Sequence, residues 1–313
     1  MPSLSSQFAR LIVKYVMAPP YRRAGTSISE WRKLVQPYIK FQKVPAGTEI
    51  QPVEALSRGL AAEWVRAPAA QTDRVILYLH GGACIMGSPA THQELAARLS
   101  AAAHVRVLVL DYRLAPEHPF PAAMQDAMSA YHWLLDQGYA DERLVIGGDS
   151  AGGGLTLQTL IALRDAGSTL PSAAFFLSPV TDWVRFDGES FSTRARSDPW
   201  ITLDMSKFTA AHYVGPNDPA TPLLYPTDMD LSGLPPLCIH IGDDEVLLSD
   251  SMRLAERARA CHVQVELVIW PGLWHVFQTM ASFVPEAHQS LAAIGRFVSN
   301  QLEGDSPSMK RVI

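Results

Sequence analysis

The 313-residue sequence has little of what disulfide, redox and zinc proteins contain. Only three cysteines occur, Cys84, Cys238 and Cys261, and none lies in a C-x-x-C spacing. An odd number of cysteines cannot pair completely within one chain, so a disulfide framework is disfavoured. No two histidines have the H-E-x-x-H spacing of a zinc site. We therefore expect no metal, and a reducing cytoplasm as the location.

Charge is scarce as well, and long apolar runs are missing. Asp, Glu, Lys and Arg make up 18% of the chain, the net charge is −5, and the basic residues are interspersed. Because domains that bind nucleic acid usually carry a net basic surface with clustered Lys and Arg, we expect no nucleic-acid partner. No run of about 18 apolar residues occurs, and the first residues lack the features of a secretory signal. We expect neither a membrane span nor secretion.

Short apolar runs alternate with longer helical patterns from about residue 74 onward. Continuous apolar runs are typical of strands that are covered on both faces, as in a parallel sheet. The strand candidates are 74–79, 105–110, 144–146, 173–177, 237–241 and 263–269. The helix candidates are 91–103, 121–137, 151–166, 250–261 and 285–302, with Thr91 and Glu94 as a capping box. The alternation predicts an α/β fold with a mostly parallel central sheet flanked by helices.

Two segments fall outside this alternation. Residues 1–42 predict two amphipathic helices, and residues 183–235 form an insertion with a short helix at 203–213. We expect both to form a helical cap over a core made of 43–182 and 236–313. The apolar face of the first helix consists of Leu4, Phe8, Leu11, Ile12, Tyr15 and Val16. We expect that face to pack against the domain rather than on a membrane, because the polar face of the helix is not strongly basic.

The strongest local motif is Gly148-Asp149-Ser150-Ala151-Gly152, a G-x-S-x-G between an apolar strand and a helical run. A serine on such a tight turn projects its hydroxyl above the sheet, and the flanking glycines relieve crowding. The helix N-terminus behind Ser150 directs free N–H groups toward a developing oxyanion. The motif predicts a nucleophilic serine, with a phosphate-binding or ligand-free glycine turn as the alternative.

A second motif, His80-Gly81-Gly82-Ala83, follows an earlier strand. Successive glycines let backbone N–H groups approach a ligand closely, as an oxyanion hole requires. In folds with a nucleophile elbow, the second oxyanion donor comes from the loop after an earlier strand. The two motifs together therefore predict acyl chemistry.

With Tyr112–Ala123 (YRLAPEHPFPAA) and Asp126, these motifs resemble the hormone-sensitive lipase family of α/β-hydrolases. The resemblance runs from about residue 74 to 300, and within the family it is strongest to small bacterial carboxylesterases and monoterpene lactone hydrolases. It implies that Ser150 is the nucleophile, that the two segments outside the core form a cap, and that no cofactor is needed. The oxyanion donors that it implies are Gly81, Gly82 and Ala151. Ala83 stands where many members have a third glycine.

A nucleophilic serine needs a base, and in this fold the chain order is serine, acid, histidine. His275 follows the last strand candidate, in a loop that contains Pro271 and Gly272, and it matches the family's histidine in position. For the other nine histidines we expect structural roles. His275 is therefore the predicted base.

The acid must lie between the strand at 237–241 and His275, where Asp243, Asp244 and Glu245 share one loop. Position alone leaves all three open. The resemblance implies Glu245, because the family's acid is followed by Pro or another apolar residue and then Leu, as in Glu245-Val246-Leu247. Most members have Asp here. We expect Asp243 and Asp244 to be solvated or to hold the loop.

The residues point to a serine carboxylesterase acting on short- to medium-chain esters through an acyl-serine. A lactone hydrolase is the first alternative, and a non-catalytic receptor on the same fold is the second, disfavoured because such receptors lose the histidine. The expected partner is a small ester or lactone, and a homodimer stays open beside a monomer. We expect Cys84 to be a buried, unreactive thiol. The expected pocket residues are Met86, Trp183, Phe208, Tyr213 and Trp274.

Overall fold

A computed structural model describes residues 2–23, 25–53, 56 and 59–303, and it contains eight strands and nine α-helices in these ranges. The strands are β1 Glu49–Val53, β2 Ala61–Arg66, β3 Gln71–Leu79, β4 Val105–Asp111, β5 Leu144–Asp149, β6 Ala173–Leu177, β7 Leu237–Gly242 and β8 Val265–Trp270. The helices are α1 Leu4–Ile12, α2 Ile28–Phe41, α3 Pro89–Ala103, α4 Ala122–Asp136, α5 Ala151–Asp165, α6 Ser190–Thr193, α7 Leu203–Val214, α8 Leu248–Ala260 and α9 Pro285–Glu303. None of these helices combines the length and the apolar character needed to cross a membrane.

The strands form one sheet in the order β1-β2-β4-β3-β5-β6-β7-β8. From β4 to β8 every neighbouring pair is parallel, whereas β2 lies antiparallel to both β1 and β4. The mostly parallel sheet predicted from the apolar runs is confirmed. The two antiparallel strands at its edge were not predicted, because they are only partly buried and β1 contains Pro52.

Helices cover both faces of the sheet, and β3 shows how the sequence divides between them. Leu77 and Leu79 belong to a core that also contains residues of α4, α5 and α8. Ile76 and Tyr78 belong to a second core with residues of α3 and α9. Successive side chains of a strand point to opposite faces, so a continuous apolar run fills both cores.

The start of α3 differs from the predicted one. The helix begins at Pro89 after Ser88, whose backbone N–H donates to the hydroxyl of Thr91 at 3.0 Å. Glu94 lies further along the helix, where it accepts from the backbone N–H of Lys43 and pairs with Arg98. The predicted capping box of Thr91 with Glu94 is therefore wrong, because the helix begins at Pro89 and not at Thr91.

The first helix packs through a different face from the one expected. Its buried side chains and those of the following π-helical turn (Val13–Met17) are Ser6, Ala9 and Val13. The Ser6 hydroxyl donates to Glu286 at the start of α9, and Arg10 pairs with Asp244. These polar contacts turn the apolar face outward, so the expectation that it packs against the domain is wrong. Ile12 is half-buried, and the exposed side chains are Leu4, Phe8, Leu11, Tyr15 and Val16.

The N-terminal segment and the 183–235 insertion meet through aromatic side chains. The ring of Trp31 on α2 lies 5.2 Å from that of Phe208 on α7, and Tyr21 lies 5.5 Å from Trp200. Such pairs stabilise a contact beyond the area that they bury. Both segments line the cavity that contains Ser150.

Candidate active site

Ser150 lies on the sharp turn between β5 and α5, with a φ of 53° and a ψ of −121°. The turn brings neighbouring backbones very close. A Cβ on Gly148 would lie 2.4 Å from the carbonyl oxygen of Leu79, and one on Gly152 would lie 1.9 Å from the same oxygen. Only glycine fits at either position, which explains why the motif has glycines around a strained serine.

His275 and Glu245 extend from Ser150 in one chain of hydrogen bonds. The Nε2 of His275 lies 2.9 Å from the Oγ of Ser150, and its Nδ1 lies 2.9 Å from the Oε2 of Glu245. Glu245 is fully buried and His275 nearly so. The structure thus brings together the three residues that the sequence had suggested for catalysis.

The second carboxylate oxygen of Glu245 is also held. It accepts the hydroxyl of Ser178 at 2.7 Å and the backbone N–H of Gly242 at 2.7 Å. Ser178 in turn accepts the backbone N–H of Val276, the residue after His275. Sequence reasoning missed Ser178, although its place directly after β6, next to the strand that leads to Glu245, could have indicated it.

The two aspartates beside Glu245 hold the loop, as expected. A carboxylate oxygen of Asp243 accepts the backbone N–H of Gly272, and Asp244 pairs with Arg10 of α1. Neither contact involves the side chain of His275, whose Nδ1 is paired with Glu245.

The imidazole of His275 titrates in an unusual environment. Burial disfavours its charged form, but the hydrogen bond to Glu245 and the charge of Glu245 outweigh that effect. The pKa of His275 therefore lies above its ordinary value of 6.5. A raised pKa means that the imidazolium formed when the ring takes a proton from Ser150 is stabilised.

Asp198, from the insertion, is a further buried carboxylate that the sequence analysis did not single out. It accepts backbone N–H groups from Val246, Trp200 and Ile201 at 2.8–2.9 Å. Burial raises its pKa to about 6, and the charge of Glu245 adds to the shift while the bond from Val246 opposes it. Asp198 thus ties the insertion to the residue that follows Glu245.

The backbone of the His80–Ala83 turn corrects one expectation. The N–H of Gly81 donates to the Oδ1 of Asp149 at 2.8 Å inside the protein, so it is not free for an oxyanion, and the expected role of Gly81 is wrong. Among the described residues, the N–H groups of Gly82 and Ala83 have no acceptor. Ala151 is the first residue of α5, where a helix leaves its N–H free.

Asp149 links this turn to the nucleophile turn. It accepts the hydroxyl of Tyr78 at 2.7 Å, and the Nε2 of His92 lies 3.3 Å from the same oxygen. Burial alone would raise the pKa of Asp149. The charge of His92 and the hydrogen bonds from His92, Tyr78 and Gly81 outweigh burial, so the pKa lies below its ordinary value. The carboxylate therefore stays charged and holds the two glycine turns together.

A cavity of about 650 Å³ opens above Ser150. Of the expected pocket residues, Met86, Trp183 and Trp274 line it, whereas Phe208 and Tyr213 do not. Phe208 instead packs on Trp31, and the buried hydroxyl of Tyr213 donates to Gln158. These two expectations are wrong because α7 turns both rings toward its packing partners.

The described residues contain one group with metal-ligand side chains, Cys238, His240 and Glu266, whose ligand atoms lie within 4.8 Å of one another. The indole N–H of Trp270 donates to the Nδ1 of His240, which leaves the imidazole proton on Nε2. Burial raises the pKa of the Cys238 thiol, so the thiol stays protonated. None of these side chains lines the cavity, and the hydrogen bond to His240 and the protonated thiol of Cys238 both oppose metal ligation.

The three cysteines are free, and Cys84 behaves as expected. It is fully buried beside the His80–Ala83 turn. Burial raises the pKa of its thiol to about 12, so it carries no thiolate at neutral pH.

Known proteins share both the sequence and the fold. Residues 76–279 match the family described as alpha/beta hydrolase fold. An acetyl-hydrolase from Streptomyces hygroscopicus is 41% identical over 263 residues, which cover 83% of this chain and 87% of that protein. The esterase LipU from Mycobacterium tuberculosis is 35% identical over 265 residues, which cover 82% of this chain and 88% of LipU.

A solved esterase from the bacterial hormone-sensitive lipase family superposes on this structure with a TM-score of 0.91 at 38% identity. The match covers 96% of this chain and 99% of that one. The chain therefore belongs to the α/β-hydrolase fold family and, within it, to the bacterial hormone-sensitive lipase family.

Proposed function

We propose that this chain is a serine carboxylesterase that hydrolyses small carboxylic esters through an acyl-serine. The observation that carries the proposal is the hydrogen-bonded chain from Ser150 through His275 to Glu245, of which Ser150 and His275 line the cavity. The relatives named as an acetyl-hydrolase and as esterases support an open-chain ester, and they do not favour the lactone alternative.

The reaction uses each group for one task. As the Oγ of Ser150 attacks the ester carbonyl, the Nε2 of His275 takes its proton, and Glu245 stabilises the imidazolium. The imidazolium then protonates the departing alcohol, which leaves an acyl group on Ser150. His275 next takes a proton from water as the water oxygen attacks the acyl carbon, and the imidazolium then protonates the Oγ of Ser150 as the bond between Oγ and the acyl carbon breaks, which releases the acid and restores the serine.

The oxyanion of both tetrahedral intermediates needs backbone donors. The N–H groups of Gly82, Ala83 and Ala151 are the donors available for this role, because the N–H of Gly81 already donates to Asp149. Ala83 has a φ of 57°, a conformation that alanine adopts at a modest cost. Alanine thus replaces the family's third glycine without loss of the donor.

We expect kcat/KM to fall as the pH is lowered, because only the neutral imidazole of His275 accepts the serine proton. Since the pKa of His275 lies above 6.5, the fall begins above that pH and reaches about tenfold per pH unit below the pKa. Initial rates with p-nitrophenyl acetate across this range measure the profile.

Asp198 provides the control, because its own pKa of about 6 lies close to the same range. An Asp198→Asn variant should keep the acid limb, moved slightly toward lower pH by the loss of a negative charge near His275. A flat wild-type profile, or a limb that disappears in this variant, argues against His275 as the base.

We expect short and medium acyl chains to be the best substrates, because the cavity holds about 650 Å³ and its lining includes Tyr21 of the N-terminal segment packed against Trp200 of the insertion. Butyrate and hexanoate esters of p-nitrophenol should exceed the palmitate ester by more than about tenfold in kcat/KM. A series of these esters, with several lactones measured beside them, tests both chain length and substrate class. Highest activity on palmitate, or on a lactone, contradicts the proposal.

A further inference from the structure

The N-terminal segment exposes an apolar surface that no residue in the described part of the chain covers. We define the N-terminal apolar face as Leu4, Phe8, Leu11, Tyr15 and Val16. Leu4, Phe8 and Leu11 are spaced by four and three residues and so share one side of α1. Their exposed fractions are 84%, 65% and 51%. Exposed apolar surface of this kind in a folded protein marks a contact with another molecule or with a lipid surface.

This face continues into the mouth of the cavity. Val16 belongs to the face and also lines the cavity. Phe41 at the end of α2 and Phe283 before α9 line the cavity as well, yet they are 74% and 52% exposed. Exposed apolar side chains thus reach the opening of the cavity that contains Ser150.

The same segment concentrates positive charge, so the expectation that basic residues are interspersed evenly along the chain does not hold for it. Residues 1–43 contain eight Lys and Arg and a single Glu, a charge of +7, whereas the whole chain has −5. In the described ranges only Arg10 and Arg32 of these eight form ion pairs with acidic side chains. The ammonium group of Lys43 lies 4.4 Å from the centre of the Phe283 ring, so charge and apolar surface adjoin at the cavity mouth.

We propose that the N-terminal segment docks this protein on an anionic lipid surface, with the N-terminal apolar face among the headgroups and the cavity mouth turned toward the lipid. An apolar helix face bordered by Lys and Arg is the feature that binds such surfaces. The first helix by itself is not strongly basic, since Arg10 is its one Lys or Arg. The additional charge comes from residues 22–43.

A second copy of the chain fits this surface less well. A two-fold dimer through the N-terminal apolar face would bring two segments of charge +7 together, and like charges oppose such an interface. An anionic lipid surface satisfies the apolar face and the cations at once.

Vesicle flotation of the full chain tests the proposal. Vesicles of phosphatidylcholine with about one quarter phosphatidylglycerol should bind the protein at about 0.05 M salt, and pure phosphatidylcholine vesicles should bind about tenfold less. About 0.5 M salt should weaken the binding strongly. Leu4→Ser/Phe8→Ser and Lys33→Gln/Lys40→Gln should each weaken binding by about tenfold. Met252→Ser and Arg257→Gln on α8 are the matched controls, because both side chains are exposed as well. They lie outside the N-terminal segment, so both variants should bind as the wild type does.

Hydrolysis of a soluble ester should be unchanged in Leu4→Ser/Phe8→Ser, which separates surface binding from the proposed reaction. Failure of the wild type to bind anionic vesicles at low salt overturns the proposal. So does equal binding by Leu4→Ser/Phe8→Ser. A wild-type dimer by light scattering that becomes a monomer in the same variant assigns the face to a second copy instead, and also overturns it.

Discussion

Replacement of Ser150 by alanine is expected to lower kcat for p-nitrophenyl butyrate by about 10⁶-fold, the scale of losing a triad nucleophile. Alanine removes the hydroxyl that forms the acyl intermediate and leaves the turn intact, because His275 is the side-chain partner of that hydroxyl. Steady-state kinetics measure the loss, and an unchanged melting temperature shows that the fold is kept.

Ser206 offers a matched control for this change. It lines the same cavity, but its hydroxyl donates to the backbone carbonyl of Thr202. Ser206→Ala should change kcat by less than about threefold. Phenylmethylsulfonyl fluoride should modify the wild type at Ser150 and leave Ser150→Ala unmodified. More than about 1% residual activity in Ser150→Ala means that another group attacks the ester.

Glu245→Gln is expected to lower kcat by roughly 10² to 10⁴-fold. The hydroxyl of Ser178 and the N–H of Gly242 both donate to one oxygen of Glu245, so the amide oxygen of a glutamine takes that place. Its NH₂ group then faces the Nδ1 of His275 and donates to it. The imidazole proton is forced onto Nε2, where it faces Ser150 and prevents the ring from accepting the serine proton.

The two neighbouring aspartates test whether the acid is assigned to the right residue. Asp243→Asn and Asp244→Asn should each cost less than about tenfold, since their contacts are with Gly272 and Arg10. In Glu245→Gln, the pKa of His275 should also fall, so the remaining activity should persist to lower pH. A severe loss in Asp244→Asn with a mild effect of Glu245→Gln assigns the acid to Asp244.

The features that could be predicted from the sequence depend on local patterns. Continuous apolar runs indicated β3 to β8. The reason is clearest for β5, β6 and β7, which are buried throughout, since a strand covered on both faces carries no polar alternation. The nucleophile turn was evident from five consecutive residues. His275 followed from chain order, because the base in this fold comes after the last strand. The resemblance implied that Glu245 is the acid, a choice among three adjacent carboxylates that position alone had left open.

The features that could not be predicted depend on distant partners. The N–H of Gly81 is taken by Asp149, 68 residues later in the chain, and no local pattern of the glycine turn reveals that bond. The orientation of α1 is decided by Glu286, near the other end of the sequence. Phe208 and Tyr213 were placed in the pocket by residue type, but the rotation of α7 sends them elsewhere.

The strand order has a consequence for how the protein is made on the ribosome. Strands β5, β6, β7 and β8 stand side by side in the sheet in the order of their synthesis. Each new strand can therefore add to the edge left by the one before, and that edge is fully buried in the finished protein for β5, β6 and β7. Until β8 arrives, a nascent chain presents an unpaired apolar edge, the kind of template on which chains aggregate. His275 follows β8 directly, so the hydrolytic centre is completed only after that hazard has passed.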